Sequence, residues 1–252
     1  MTAKKVHDIL IMEICSYFLK FDEGGLSAMK KKNNGTFSAF RSAIAETVAE
    51  AWQSRSTPFK LQKVGNELVI IGYKNSLLPR IEIPGEIHGL PVRTVAARAF
   101  VNCPFLEEVR IADGVEILEP NAFSSCMNLT KVFMGDSVSV IGRNAFFECK
   151  YLYCVELSPS LREIDNRAFF GCTGLRDISL PDSIERIGEQ AFSGCTKLKS
   201  IHIPLALNQI HRSAFENCRA LDHIFIEKGS YADQVFSESE YYRQKLRYIP
   251  RI

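Results

Sequence analysis

The chain has no surplus of charge of either sign. Over 252 residues, 31 Lys and Arg stand against 29 Asp and Glu, a formal net charge of +2. Basic residues dispersed at that balance exclude a broad nucleic-acid surface. The one basic cluster, Lys30-Lys31-Lys32, sits beside Asn33-Asn34-Gly35 and reads as a solvated loop. Long apolar runs are also missing. Residues 9–19 come nearest, but Asp8 borders the stretch, Glu13 interrupts it and no small-residue cleavage site follows. The stretch is too short to cross a bilayer, so no membrane-spanning segment is expected. No signal peptide is visible, which by sequence points to the cytoplasm. There is no CxxC and no paired-His spacing, so no metal is expected. There is no glycine-rich phosphate loop and no G-x-S-x-G elbow, and no cofactor is implied.

What the chain does have is a period. Phe100, Phe123, Phe146, Phe169, Phe192 and Phe215 follow one another at intervals of 23 residues. Ala precedes each. Three residues later stands a Cys: Cys103, Cys126, Cys149, Cys172, Cys195 and Cys218. Six residues after each Phe is a Leu, and nine and eleven after it are apolar residues such as Val132 and Met134. A strict period of this length is the signature of stacked coils, none of which can close a core by itself. Val and Ile two apart share one face of a strand, and the residues beside them point outward. A second apolar pair, such as Val115 and Leu118, marks a second extended stretch across the coil. Ala-Phe and Cys fill the corner between them. The expected fold is therefore a solenoid of short stacked β-strands, about seven coils of 23 residues from about Leu68 to Glu227.

The cysteines follow from the same period. Six of the eight occupy one interior column, where a thiol packs as a small hydrophobe. Side chains in such a ladder run parallel, whereas a disulfide needs converging Cβ vectors. A reduced ladder is the expectation.

The repeating strings "LTKVFMGDSVSVIGRNAFFEC", "LRDISLPDSIERIGEQAFSGC" and "LKSIHIPLALNQIHRSAF" resemble the BspA-like leucine-rich repeat family. "FKLQKVGNELVIIGY" looks like that family's opening hairpin, turning at Gly65-Asn66. "RIEIPGEIHGLPVRTV" looks like its enlarged first coil, and "EKGSYADQVF" resembles its closing segment. The resemblance covers about residues 59–236. It implies a leucine-rich repeat solenoid, and adhesion or host-protein binding when the protein is exported, since such proteins are often at the cell surface or secreted.

Outside the period, residues 3–20 and 36–54 carry helical spacing of apolar residues. Residues 1–58 are thus expected to form an α-helical N-terminal region or cap, residues 59–236 the repeat domain, and residues 237–252 a C-terminal tail or cap. Self-association through residues 1–58, or an intracellular scaffold built on it, is the alternative to a binding role.

The outward strand positions form two columns on one face. One runs Glu108, Lys131, Cys154, Asp177, Ser200, His223. The other runs Arg110, Phe133, Glu156, Ser179, His202, Phe225. Such positions are ordinarily polar, so Phe133 and Phe225 stand out as contact candidates, Phe225 being near enough to the tail to be covered by it. Neighbouring coils bring Ser179, His202 and Glu156 together on paper as a hydrolase set. A regular strand has its N–H groups committed to the ladder and offers no oxyanion hole, so this alternative is the weaker one. Cys154 is a thiol outside the buried ladder. The reading is a non-catalytic module that contacts another protein, of unknown identity, through its strand face.

Overall fold

The computed structural model describes residues 57–74 and 78–250. The expected N-terminal helices and the Lys30–Lys32 loop lie outside these residues. The chain divides into two units, 1–57 and 58–252, and the second carries every repeat.

An antiparallel hairpin opens this second unit: β1 (Phe59–Val64) pairs with β2 (Glu67–Tyr73), with Val64 opposite Glu67. The turn is Gly65-Asn66, and Gly65 takes a positive φ of 60° that an L side chain resists. The enlarged first coil follows, with β3 (Arg80–Ile83), β4 (Glu86–Ile87) and β5 (Leu90–Val95). Later coils add short strands on either side.

On one side, β2 and β5 continue through β7 (Ile117–Leu118), β9 (Val140–Ile141), β11 (Glu163–Ile164), β12 (Arg186–Ile187) and β14 (Gln209–Ile210). On the other, β3 leads to β6 (Glu108–Ile111), β8 (Lys131–Met134) and β10 (Cys154–Glu156). After a gap come β13 (Ser200–His202) and β15 (His223–Glu227). Helices α1 (Tyr231–Ser237) and α2 (Glu240–Arg243) close the stack. The chain then returns as β16 (Leu246–Ile249), which pairs parallel with β15 and adds a further rung.

The interior is a set of columns, each residue stacked on its counterpart one coil away. The six period Phe rings lie parallel, 4.9–5.4 Å apart and within 14° of coplanar. The column is closed at both ends by rings that break the stack. Phe59 meets Phe100 edge-on, and Phe236 of α1 tilts 47° against Phe215. Phe N–H donates to the Ala carbonyl of the next coil at 2.8 Å, as in Phe146 to Ala168. The thiols complete the return connection. Cys126, Cys149, Cys172, Cys195 and Cys218 each donate S–H to the Phe carbonyl of the preceding coil, at 3.0–3.3 Å. The Cys column is thus a hydrogen-bond ladder as well as packing. The Phe123, Phe146, Phe169 and Phe192 carbonyls also accept the backbone N–H of the Cys three residues on, so the thiol supplies each with a second donor.

Each coil turns its corner through a left-handed residue two after the Phe: Asn102, Ser125, Glu148, Gly171, Gly194 and Asn217, with φ between 53° and 76°.

Candidate functional site

The outward columns stand where β3, β6, β8 and β10 place them. Glu108 is in register with Lys131, and Lys131 with Cys154. Arg110 is in register with Phe133, and Phe133 with Glu156. On the second segment Ser200 faces His223, and His202 faces Phe225. These positions alternate with buried Val109, Val132, Val155, Ile201 and Ile224, so the pleat presents them on the outer face.

Two aromatic side chains organise this face. Phe133 is half-buried, and the Arg110 guanidinium lies 4.2 Å above its ring centre. Glu108 accepts from Arg110 Nε at 2.8 Å and fixes the cation in place. Phe225 is also half-buried, stacked with His223 at 5.9 Å and 12°. Both rings therefore lie flat against neighbours with part of their surface exposed.

The columns are longer than their period suggests. Arg80 and Glu82 of β3 extend them ahead of Glu108 and Arg110. Arg247 of β16 extends them beyond Phe225. The β15–β16 offset is 22 residues, and β16 carries no Ala-Phe, so the period cannot reveal it.

A continuous strand face is the expectation, and here the structure corrects it. Residues 176–180 form no strand, so β10 and β13 belong to separate sheets. Elsewhere the coils are tied in series: Thr130 N–H to the Glu107 carbonyl at 2.8 Å, Tyr153 to Thr130 at 3.1 Å, Lys199 to Arg176 at 3.2 Å and Asp222 to Lys199 at 2.9 Å. Among the described residues no such bond joins Arg176 to Tyr153. The first inner column is slightly more open at the same place: Val155 and Ile178 are 9% and 7% exposed, against 0% for Val132 and 2% for Ile201 in neighbouring coils. Asp177 and Ser179 sit on this unpaired stretch, both exposed. Ser179, His202 and Glu156 occupy successive coils as expected, but no hydrogen bond links them among the described residues. Cys154 is half-buried.

Beside the gap is a cleft of about 530 Å³ lined by Lys150, Tyr151, Tyr153, Arg176 and Lys197, with Thr173 and Gly174 between its walls. A Cβ at Gly174 would come within 2.9 Å of the Lys150 and Leu152 carbonyls, so the backbone runs too close there for a side chain. Tyr151 and Tyr153 are 63% and 48% exposed. Sequence reasoning missed this cluster because its cations look scattered along the chain. Aligned on the Phe, however, they fall four to seven residues after it in three consecutive coils.

Among the described residues no group of three His, Cys, Asp or Glu is placed to hold a metal. No helix among them is long and apolar enough to cross a membrane.

Known proteins share this fold. A leucine-rich repeat protein of T. pallidum is 29% identical, with a TM-score of 0.50 over 67% of this chain and 69% of that one. A leucine-rich cell surface protein of Faecalibacterium prausnitzii is 28% identical, with a TM-score of 0.55 over 67% of this chain. A leucine-rich repeat protein of Bacteroides ovatus is 28% identical, with a TM-score of 0.50 over the same share. The chain spans about half the length of the last two, 53% and 52%. No curated protein matches the chain. The model of the BspA type leucine rich repeat region matches in 6 copies, over residues 73–181 and 116–243. With its Phe column, Cys ladder and parallel coils now accounted for, the chain belongs to the BspA-type leucine-rich repeat family.

Proposed function

We propose that the chain is a non-catalytic protein-interaction module whose contact surface is the outer face of its stacked strands. The observation that carries this reading is the pair of half-buried aromatics held on that face, Phe133 under Arg110 and Phe225 against His223. Aromatic and Arg side chains dominate binding energy where they are pre-positioned, since little conformational entropy is left to lose. Glu108, Lys131, Glu156, Asp177, Ser179 and His202 supply the polar surround on the same columns. The Faecalibacterium relative is a cell surface protein, which supports adhesion or host-protein binding for this chain wherever it is exported.

The test is capture of partners by the full chain, compared with a variant carrying Arg110→Ala, Phe133→Ala and Glu156→Ala. These side chains sit outside the core, so the fold is expected to survive while capture falls by about tenfold or more. Undiminished capture by the triple variant would sink the strand-face reading.

A further inference from the structure

We propose that the cleft at the break between β10 and β13 is a binding site for an acidic segment of a protein partner. The proposal rests on the protein-interaction reading and gives one partner surface its chemistry. Three cations line the cleft: Lys150, Arg176 and Lys197. Among the described residues no carboxylate lines it. Lys150 has a distant ion pair, with Glu148 at 3.8 Å, while among the described residues Arg176 and Lys197 have none. Lys199 follows Arg176 one coil on and is exposed. Arg176 and Lys197 thus bring positive charge to the cleft that no carboxylate among the described residues neutralises, and a partner's carboxylates would complement it. The Arg176 guanidinium offers the planar fork that takes a carboxylate on two N–H donors.

The tyrosines select the kind of anion carrier. Two exposed rings flank the cations, and each offers a flat apolar face and a hydroxyl, the combination enriched where proteins meet. A nucleic acid would need positive charge running along its path, whereas this charge is confined to one cleft on a chain of net charge +2. The break in the ladder explains why the site is here. The coils on either side keep their inner columns but forgo the bond between Tyr153 and Arg176. Gly174, which also lines the cleft, lets its coil approach the Lys150 and Leu152 carbonyls closely.

The experiment is fluorescence anisotropy with the full chain and a labelled oligo-glutamate peptide. An oligo-glutamine peptide and a single-stranded oligonucleotide of matching charge serve as controls. The oligo-glutamate is expected to bind at least about tenfold more tightly than either control and to weaken as salt is raised. Arg176→Glu with Lys197→Glu is expected to raise its Kd by about tenfold or more, with circular dichroism and thermal midpoint unchanged because both residues are exposed. Tyr151→Ala with Tyr153→Ala is expected to raise it about fivefold. The strand-face triple variant is expected to bind the peptide like the unaltered chain. Equal binding of glutamate and glutamine peptides, equal binding of the oligonucleotide, or indifference to the charge reversal each overturns the cleft assignment. Any of these leaves the strand-face reading to its own capture test. Loss of peptide binding in the triple variant alone would instead move the acidic segment to the strand face.

Discussion

The Arg110 guanidinium lies over the Phe133 ring at 4.2 Å, carried by adjacent strands of successive coils. The pair converts an exposed aromatic into a fixed one. A cation over a ring at a partly exposed site contributes about 0.5–1 kcal/mol. A double-mutant cycle of Arg110→Ala and Phe133→Leu is therefore expected to show a coupling of about that size in urea unfolding. Additive effects would mean that the two side chains do not act together.

The Phe column separates two kinds of aromatic in one coil. Phe169 is fully buried, stacked between Phe146 and Phe192 at 5.2 and 5.3 Å. Phe170 is half-buried and stacks on Phe147 at 5.2 Å. Phe169→Ala is expected to cost about 3–5 kcal/mol, because coils above and below hold the cavity open. Phe170→Ala is expected to cost about 1 kcal/mol, since its site is already wet on one side and water can fill it. Chemical denaturation of both variants checks the contrast, and equal losses would contradict it.

Strain at the coil corner gives a prediction of the opposite sign. Glu148 holds a φ of 53° at the position that Gly171 and Gly194 occupy one and two coils later. A left-handed conformation costs a residue with a Cβ about 1–2 kcal/mol, more than the entropy a Gly adds to the unfolded chain. The ion pair with Lys150 that Glu148 would lose is exposed and long, and contributes about 0–1 kcal/mol. Glu148→Gly is expected to raise stability by about 0.5–1 kcal/mol, and Gly171→Ala to lower it by a similar amount. A lower unfolding midpoint for Glu148→Gly would show that the corner is not strained.

The inner columns were legible in the sequence because burial dictates them. Ala145, Phe146, Cys149 and Leu152 recur since each has a counterpart directly above and below. The opening hairpin was equally legible, because Gly65 must take a conformation that few residues tolerate. The outer edge was not. "LRDISLPDSI" keeps every interior position, and Ile178 and Leu180 still point inward, yet the strand does not pair. Whether outer edges pair is not dictated by the inward positions, and a period that records those positions is blind to it. β16 escaped for a related reason, its 22-residue offset being set by two short helices rather than by a coil.

The cysteine ladder gives the protein a defined response to alkali. Burial pushes the Cys172 and Cys195 thiols well above their ordinary range, and the Cys149 and Cys218 thiols up to about 12. Burial also raises the Tyr73 hydroxyl to about 12. In the unfolded chain a thiol ionises near pH 8.5 or so and a tyrosine near about 10. Above those values the unfolded state has released protons that the folded state retains. Stability then falls as pH rises. Below about pH 8 the same groups are neutral in both states and their contribution is fully present. The urea midpoint is therefore expected to be level from about pH 7 to 8 and to decline steadily above that. Alkylation should follow the same physics, since only the thiolate reacts. In the native protein at about pH 8 these four ladder thiols are expected to resist iodoacetamide while half-buried Cys154 is modified, and all of them to react in denaturant. Rapid native labelling of Cys172 or Cys195, read by mass spectrometry, would mean that the ladder opens far more readily than its S–H bonds to Phe146 and Phe169 imply.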